Sequence, residues 1–227
     1  MIPSPFNRLV DTSQSINMGA EQPPDIDRIL TIPTVTMTAP RPVLAGVAAD
    51  MLISGETLVT PWVAAALSTD MEGMLARVID KRFPKSGLGS SSFGQKADIV
   101  ADTLALMEIS LAALAGPRVP ILGKVAVATT LGHEGFKAAW GINKARVFKS
   151  AGGGVLYVTP TNEGKCSMAE KMVSVGLAVI ASDLDAPVAR QAFSAASLAF
   201  ALMGTARGEI ERRKYADIAD KMIKQLG

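Results

Sequence analysis

The residues best suited to chemistry are Asp98 and Asp102, four positions apart and preceded by Gly94 in the pattern Gly-x-x-x-Asp-x-x-x-Asp, which leads into the apolar run Thr103 to Gly116. On a helix, positions i and i+4 share a face, and two exposed carboxylates there repel by about 0.2–0.5 kcal/mol. A positive charge between them removes the conflict. A divalent cation with oxygen ligands fits, because hard cations take carboxylates and screen them from one another. Upstream, Asp70-Met71-Glu72-Gly73-Met74-Leu75-Ala76-Arg77 adds two acids and a Gly-x-x-Ala-Arg at the end of another apolar run. The two segments read as one constellation.

Composition narrows what could hold such a site. A single Cys166 excludes an internal disulfide, and a single His133 excludes a Cys/His zinc site or a multi-histidine site. Any metal must therefore be held by carboxylates. A net charge of +2 with 5% aromatic residues leaves neither the basic surface nor the stacking platforms that nucleic-acid binding needs. Hydrophobic residues make up 48% of the 227 and charged residues 19%, which leans toward a membrane protein. No window of 18 residues is free of polar groups, so hydropathy alone leaves a soluble helical bundle and a membrane bundle both open.

The elements that must position the acids follow from the apolar runs and their stops. Residues 1–30 lack a basic stretch followed by an apolar core, and Asp11, Glu21, Asp25 and Asp27 argue against a mitochondrial presequence. They read as an arm or a short interfacial helix. An apolar stretch then runs from Thr38-Ala39-Pro40-Arg41 to Ile53, and Ser54-Gly55-Glu56 turns the chain. Thr57 to Arg77 forms a second span. The helix carrying Asp98 and Asp102 is the third, stopped by Gly116-Pro117-Arg118. Val119 to Trp140 is the fourth, followed by a basic turn with Lys144, Arg146 and Lys149 and a linker at Gly152-Gly153-Gly154. Gly164-Lys165 opens a fifth segment with the apolar run Val173 to Ala181, Val188 to Met203 is the sixth, and a charged amphipathic tail follows.

The paired motifs resemble the signature of the CDP-alcohol phosphatidyltransferase family, Asp-x-x-Asp-Gly-x-x-Ala-Arg, a spacer, then Gly-x-x-x-Asp-x-x-x-Asp. Glu72, Gly73, Ala76, Arg77, Gly94, Asp98 and Asp102 fall on it. The family's first Asp coincides with Thr69, with Asp70 one place later, and the spacer between Arg77 and Gly94 is sixteen residues, about twice the family length. Thr38 with Arg41 is similar to the Thr-x-x-Arg that opens the family's first membrane helix. The segment at Gly164-Lys165 is similar to the one that opens the fifth span in glycerophosphate- and cardiolipin-type members.

The resemblance implies an all-α fold, a six-transmembrane-helix bundle, with an arm at 1–30, a catalytic domain at 31–208 and a charged tail at 209–227. It implies metal-dependent transfer of a phosphatidyl group from CDP-diacylglycerol to an alcohol, glycerol 3-phosphate or phosphatidylglycerol favoured, with release of CMP. Mg2+ or Mn2+ would be held by Asp70, Glu72, Asp98 and Asp102, with Asp102 also the general base. Gly73, Ala76, Arg77 and Gly94 would bind the CDP moiety, and Arg41, Lys137 and Lys165 the acceptor or a phosphate. The bland counterparts are helix packing for Gly73 and Ala76, a snorkelling anchor for Arg41, and topology-setting charge for Lys137, Lys144, Arg146 and Lys165. His133 beside Glu134 reads as a satisfied or exposed histidine and Cys166 as a packing residue.

Basic clusters at 77–85, 144–149 and 207–214 follow spans two, four and six, so they fall on one side, cytoplasmic by the positive-inside tendency. The expected setting is a multi-pass homodimer among membrane lipids with its site facing the cytoplasm. A bacterial cytoplasmic membrane is favoured over a mitochondrial inner membrane. An inactive membrane protein of the same fold and a soluble helical bundle are the alternatives.

Overall fold

The computed structural model describes residues 38–67, 78, 81–82, 92–153 and 161–226, and all regular structure among them is helical. Six helices carry the fold: α1 Pro40–Ser54, α2 Thr60–Ala66, α3 Ser92–Ala115, α4 Ile121–Ser150, α5 Asn162–Asp183 and α6 Pro187–Leu226. The all-α class holds. Residues 1–37, the first acidic motif at 70–77 and Gly154 lie outside the described residues.

Two helix pairs run parallel. Arg41 meets Asp102 at 2.5 Å, a methyl on Gly46 would touch Glu108, and one on Gly116 would lie 2.9 Å from Leu52 O, so α1 and α3 keep one register along their length. Gly116 therefore has to be glycine for α1 to approach. Likewise Lys137 reaches Glu211 and Lys144 reaches Asp220, which sets α4 parallel to α6. Helix α5 runs the opposite way between them and also packs on α2 and α3.

The α5–α6 seam explains how such helices approach closely. Ser174 Oγ donates to Ser197 O at 2.8 Å, Ser197 Oγ donates back to Ser174 O at 2.8 Å, and Ser167 Oγ donates to Gly204 O at 2.7 Å. Positions 167 and 174, and 197 and 204, are each seven apart, the spacing that keeps small residues on one face.

The interior is made of small side chains. Ala45, Ala48, Ala105, Ala112, Ala113, Ala126, Ala178 and Ala181 are buried, while Ile109, Leu106, Val127, Val175 and Val179 are the larger members. Many large apolar residues point outward instead. Val100, Leu104, Met107 and Leu111 follow one face of α3 and are between 45% and 58% exposed.

Turn chemistry places the helix ends as the residue types anticipate. Gly55 takes φ 74° after α1 and donates to Leu52 O at 3.3 Å, the left-handed stop that glycine accommodates. Thr161 caps α5 by accepting from Gly164 N at 3.2 Å.

Six spans are the expectation; among the described residues no helix is long and apolar enough to cross a membrane. Helices α1 and α2 have 15 and 7 residues, and charged residues interrupt the apolar stretches of the others, as Asp98, Asp102 and Glu108 do in α3. The basic turn expected at Lys144, Arg146 and Lys149 is helical, because nothing in α4 breaks the i to i+4 ladder before Ala151. Cys166 is exposed rather than packed, since Ser167 takes the inward position. In addition, α6 is continuous across residue 208, so the sixth segment and the charged tail are one rod.

Candidate functional site

Asp102 is held where α3 faces the start of α1. Ala101, Ala105, Leu106 and Ile109 bury that face, and Asp102 lies at its upper edge with 14% of its side chain exposed. Its Oδ1 accepts from Arg41 Nη1 at 2.5 Å. Arg41 is only 2% exposed, in the first turn of α1, where the helix dipole disfavours a cation. The carboxylate of Asp102 offsets both the dipole and the burial of the guanidinium.

The second cluster joins α4, α5 and α6. Lys171 Nζ is fully buried and contacts Glu134 Oε1, and it lies 2.7 Å from His133 Nδ1. Lys137 Nζ donates to Glu211 Oε2 at 3.1 Å and lies 3.9 Å from Glu134. Glu211 Oε1 accepts from Tyr215 OH at 2.8 Å and faces Thr161 Oγ1 at 3.4 Å. The charges cancel within the group: two lysines against two glutamates. Glycines make room for it. A methyl on Gly208 would lie 2.4 Å from His133 Cε1, and one on Gly164 would run into the Glu211 carboxylate. His133 Nε2, also buried, makes no hydrogen bond within the described chain.

Above this cluster the parallel pair α4 and α6 is fastened at its surface. Arg212 lies 5.5 Å from the Phe136 ring centroid and 5.4 Å from that of Trp140, within cation–π range, and also bonds Glu209. Hydrogen bonds from Arg212 and then Arg213 hold the Glu209 carboxyl down to about 2. Burial, helped by the bond to Glu211, pushes the Tyr215 hydroxyl well above its ordinary range.

The two clusters lie at one level. Counting from the turn at Gly116 to Pro120, Asp102 is fourteen residues back along α3 and His133 thirteen residues forward from Pro120 along α4, so each is about 20 Å from it at 1.5 Å per residue. Lys144, Arg146, Lys149 and Arg207 to Lys214 are on that same side, while Arg118 and Arg190 meet at the opposite end through Arg190 donating to Arg118 O.

The site residues expected from sequence fare differently. Arg41 and Asp102, 61 positions apart, are brought together. Gly94 and Asp98 lie on α3 with Asp98 one turn before Asp102, and the side chain of Asp98 lies outside the described residues. Asp70, Glu72, Gly73, Ala76 and Arg77 also lie outside them. Lys137 is engaged by Glu211 and Glu134, and Lys165 is exposed in the first turn of α5 with no part in that cluster. His133 is neither exposed nor fully satisfied. Lys171 is the residue sequence reasoning passed over; its signal is a lysine abutting the apolar run that begins at Met172.

Carboxylates are the donors a hard cation takes, and Asp102, 14% exposed and paired with Arg41, stands one turn from Asp98 on α3. Among the described residues no three His, Cys, Asp or Glu side chains cluster for metal binding, and the side chains of three of the four candidate acids, Asp70, Glu72 and Asp98, are outside that set.

Comparison with protein-family models, with curated proteins and with solved structures finds no match to this chain.

Proposed function

We propose that the protein is a membrane-embedded helical enzyme of the CDP-alcohol phosphatidyltransferase type, transferring a phosphatidyl group from CDP-diacylglycerol to an alcohol and releasing CMP. The observation that carries the reading is the meeting of Arg41 and Asp102, two residues that the motifs single out and that lie 61 positions apart. An acid that can take a proton stands beside a guanidinium that can fork onto phosphate.

In the reaction, the acceptor hydroxyl attacks the phosphorus next to the lipid while the bond to the CMP oxygen breaks. Asp102 takes the hydroxyl proton. Arg41 offers donors to the phosphate oxygens, and Lys137 and Lys165 hold the acceptor, with glycerol 3-phosphate or phosphatidylglycerol favoured. Gly73, Ala76, Arg77 and Gly94 cradle the nucleotide. A divalent cation held by Asp70, Glu72, Asp98 and Asp102 would supply charge neutralisation at the diphosphate.

The distribution of side-chain size supports a lipid setting. In a bilayer, tails solvate large apolar groups as well as a core does, so helices meet through small residues and turn their large ones outward. The buried alanines and serines, set against the exposed stripe of Val100, Leu104, Met107 and Leu111, follow that pattern. The gathering of Lys144, Arg146, Lys149 and the cations of 207–214 on one side supports a cytoplasm-facing site in a multi-pass homodimer.

The test incubates detergent-purified protein with labelled CDP-diacylglycerol, Mg2+ or Mn2+ and a panel of alcohols, and measures CMP. The expected result is metal-dependent release that Asp102→Asn abolishes. Release that survives in Asp102→Asn, or a protein recovered in a high-speed supernatant without detergent, overturns the reading.

A further inference from the structure

We propose that the cavity between the first turns of α4 and α6 binds a long-chain fatty-acid carboxylate, with Arg190 as the anchor of its head. The site lies at the end of the bundle away from Asp102. It stands on the geometry of that end alone, whether or not the transfer reaction above is correct.

Helices α4 and α6 are parallel, so both of their N-termini, the positive ends of their dipoles, lie at this end. Helix α4 starts after Pro120 with no side-chain cap, and neither helix has an acid in its first turn. The positive potential there goes unanswered. Arg190, half-buried in the first turn of α6, adds a full charge to it. Among the described residues no carboxylate pairs with Arg190: its Nη2 donates to Arg118 O, and its buried Nε makes no hydrogen bond. The nearby acid, Asp185, is taken by Arg118 at 3.2 Å and is 97% exposed. A buried N–H of a permanent cation without an acceptor calls for a missing partner, and that partner is an anion.

The rest of the cavity is apolar. It has a volume of about 610 Å3, within the usual span of small-molecule sites, and Pro120, Leu122, Pro187 and Ala195 line it beside Arg190 and Gln191. Ile121 and Val188, next in the chain to lining residues, expose 83% and 81% of their surface. A free anion would leave these walls wet, and a neutral lipid would leave Arg190 without a counter-charge. A carboxylate on one acyl chain meets both needs, its head on the guanidinium and its chain along the walls. Bound there, it ties the first turns of α4 and α6 together.

The experiment counts ligand on the full chain, purified in dodecyl maltoside, by native mass spectrometry with oleate as probe. One oleate per chain is expected, and Arg190→Gln should weaken it roughly tenfold, the loss of a charge-assisted bond. Oleyl alcohol, the same chain with a neutral head, should bind the parent roughly tenfold more weakly than oleate. Acetate, the head without the chain, should not displace oleate. Ala195→Trp, filling the cavity from an exposed position, should block oleate while leaving Arg190 in place. Oleate held equally by the parent and a folded Arg190→Gln, or no better than oleyl alcohol, overturns the anchor. Displacement by acetate overturns the role of the walls, and undiminished binding in Ala195→Trp puts the ligand elsewhere. If Arg190→Gln does not fold, the alcohol comparison and Ala195→Trp still decide the matter.

Discussion

Two polar regions lie at the same level of this bundle and are built on opposite plans. Between α4, α5 and α6, the charges of Lys171, Glu134, Lys137 and Glu211 answer one another, and Tyr215 and Thr161 fill the remaining valences of Glu211. Between α1 and α3, Asp102, partly open, faces a buried Arg41 at 2.5 Å. A closed network holds helices in register. The Arg41–Asp102 pair, with one member partly exposed, joins α1 to α3, where the network joins three helices.

The largest effect should come from deleting the Arg41–Asp102 pair as a unit. Arg41→Met with Asp102→Leu should bring CMP release below detection while thermal stability changes little, because an apolar pair of similar volume often replaces a buried ion pair at no cost. A marked loss of stability in the double variant would make the pair a fastening after all. The network should respond the other way. Lys171→Met, which leaves Glu134 and His133 facing an apolar group, should cost about 3 kcal/mol in chemical denaturation.

Packing around the network gives a smaller, sharper contrast. Gly208→Ala places a methyl against the His133 ring and Ser167 Oγ and should cost about 1–3 kcal/mol. Gly132→Ala, in open space on α4, should gain roughly 0.5–1 kcal/mol from helix propensity. Equal effects of the two would remove the steric contact at Gly208 as a source of the cost.

Tyr215→Phe should cost about 1.5 kcal/mol near pH 8, the loss of a hydrogen bond to a charged acceptor. The folded hydroxyl ionises above its unfolded value of about 10, so its contribution is complete below pH 10 and fades as pH rises beyond it. The parent should therefore lose stability above pH 10 by an amount the Phe variant lacks, read from denaturation midpoints across pH 9 to 11. The smallest effect belongs to Glu209 on the surface. Its folded carboxyl lies near 2 against an ordinary 4.5, so its contribution is present above pH 4.5 and lost as pH falls toward 2. Glu209→Gln should lower stability slightly at neutral pH, flatten the loss between pH 4.5 and 2, and converge with the parent at the acid end.

Much of the architecture could be read from residue types. Gly55 and the Gly116-Pro117-Arg118 stop mark real helix ends, and the spacing of Asp98 and Asp102 does put them one turn apart on a helix. The basic turn at Lys144 to Lys149 was misleading because charge density resembles a loop, while helix α4 tolerates lysine and arginine on its exposed face. The charged tail looked separate for the same reason. The partnership of Arg41 with Asp102 rests on a parallel α1–α3 packing that no local pattern encodes, and Lys171 was hidden because a buried lysine is understood only once Glu134 from another helix is beside it.

Gly116 deserves a mechanical reading. At Gly116 the backbone just past α3 comes so near Leu52 O that a methyl would lie 2.9 Å from it, which makes this the close-approach point at the far ends of α1 and α3. A swing about that fulcrum, or a turn of the side chains, parts Arg41 from Asp102. With an arm of about 20 Å from pivot to pair, a tilt of only a few degrees moves the tips by an ångström or more.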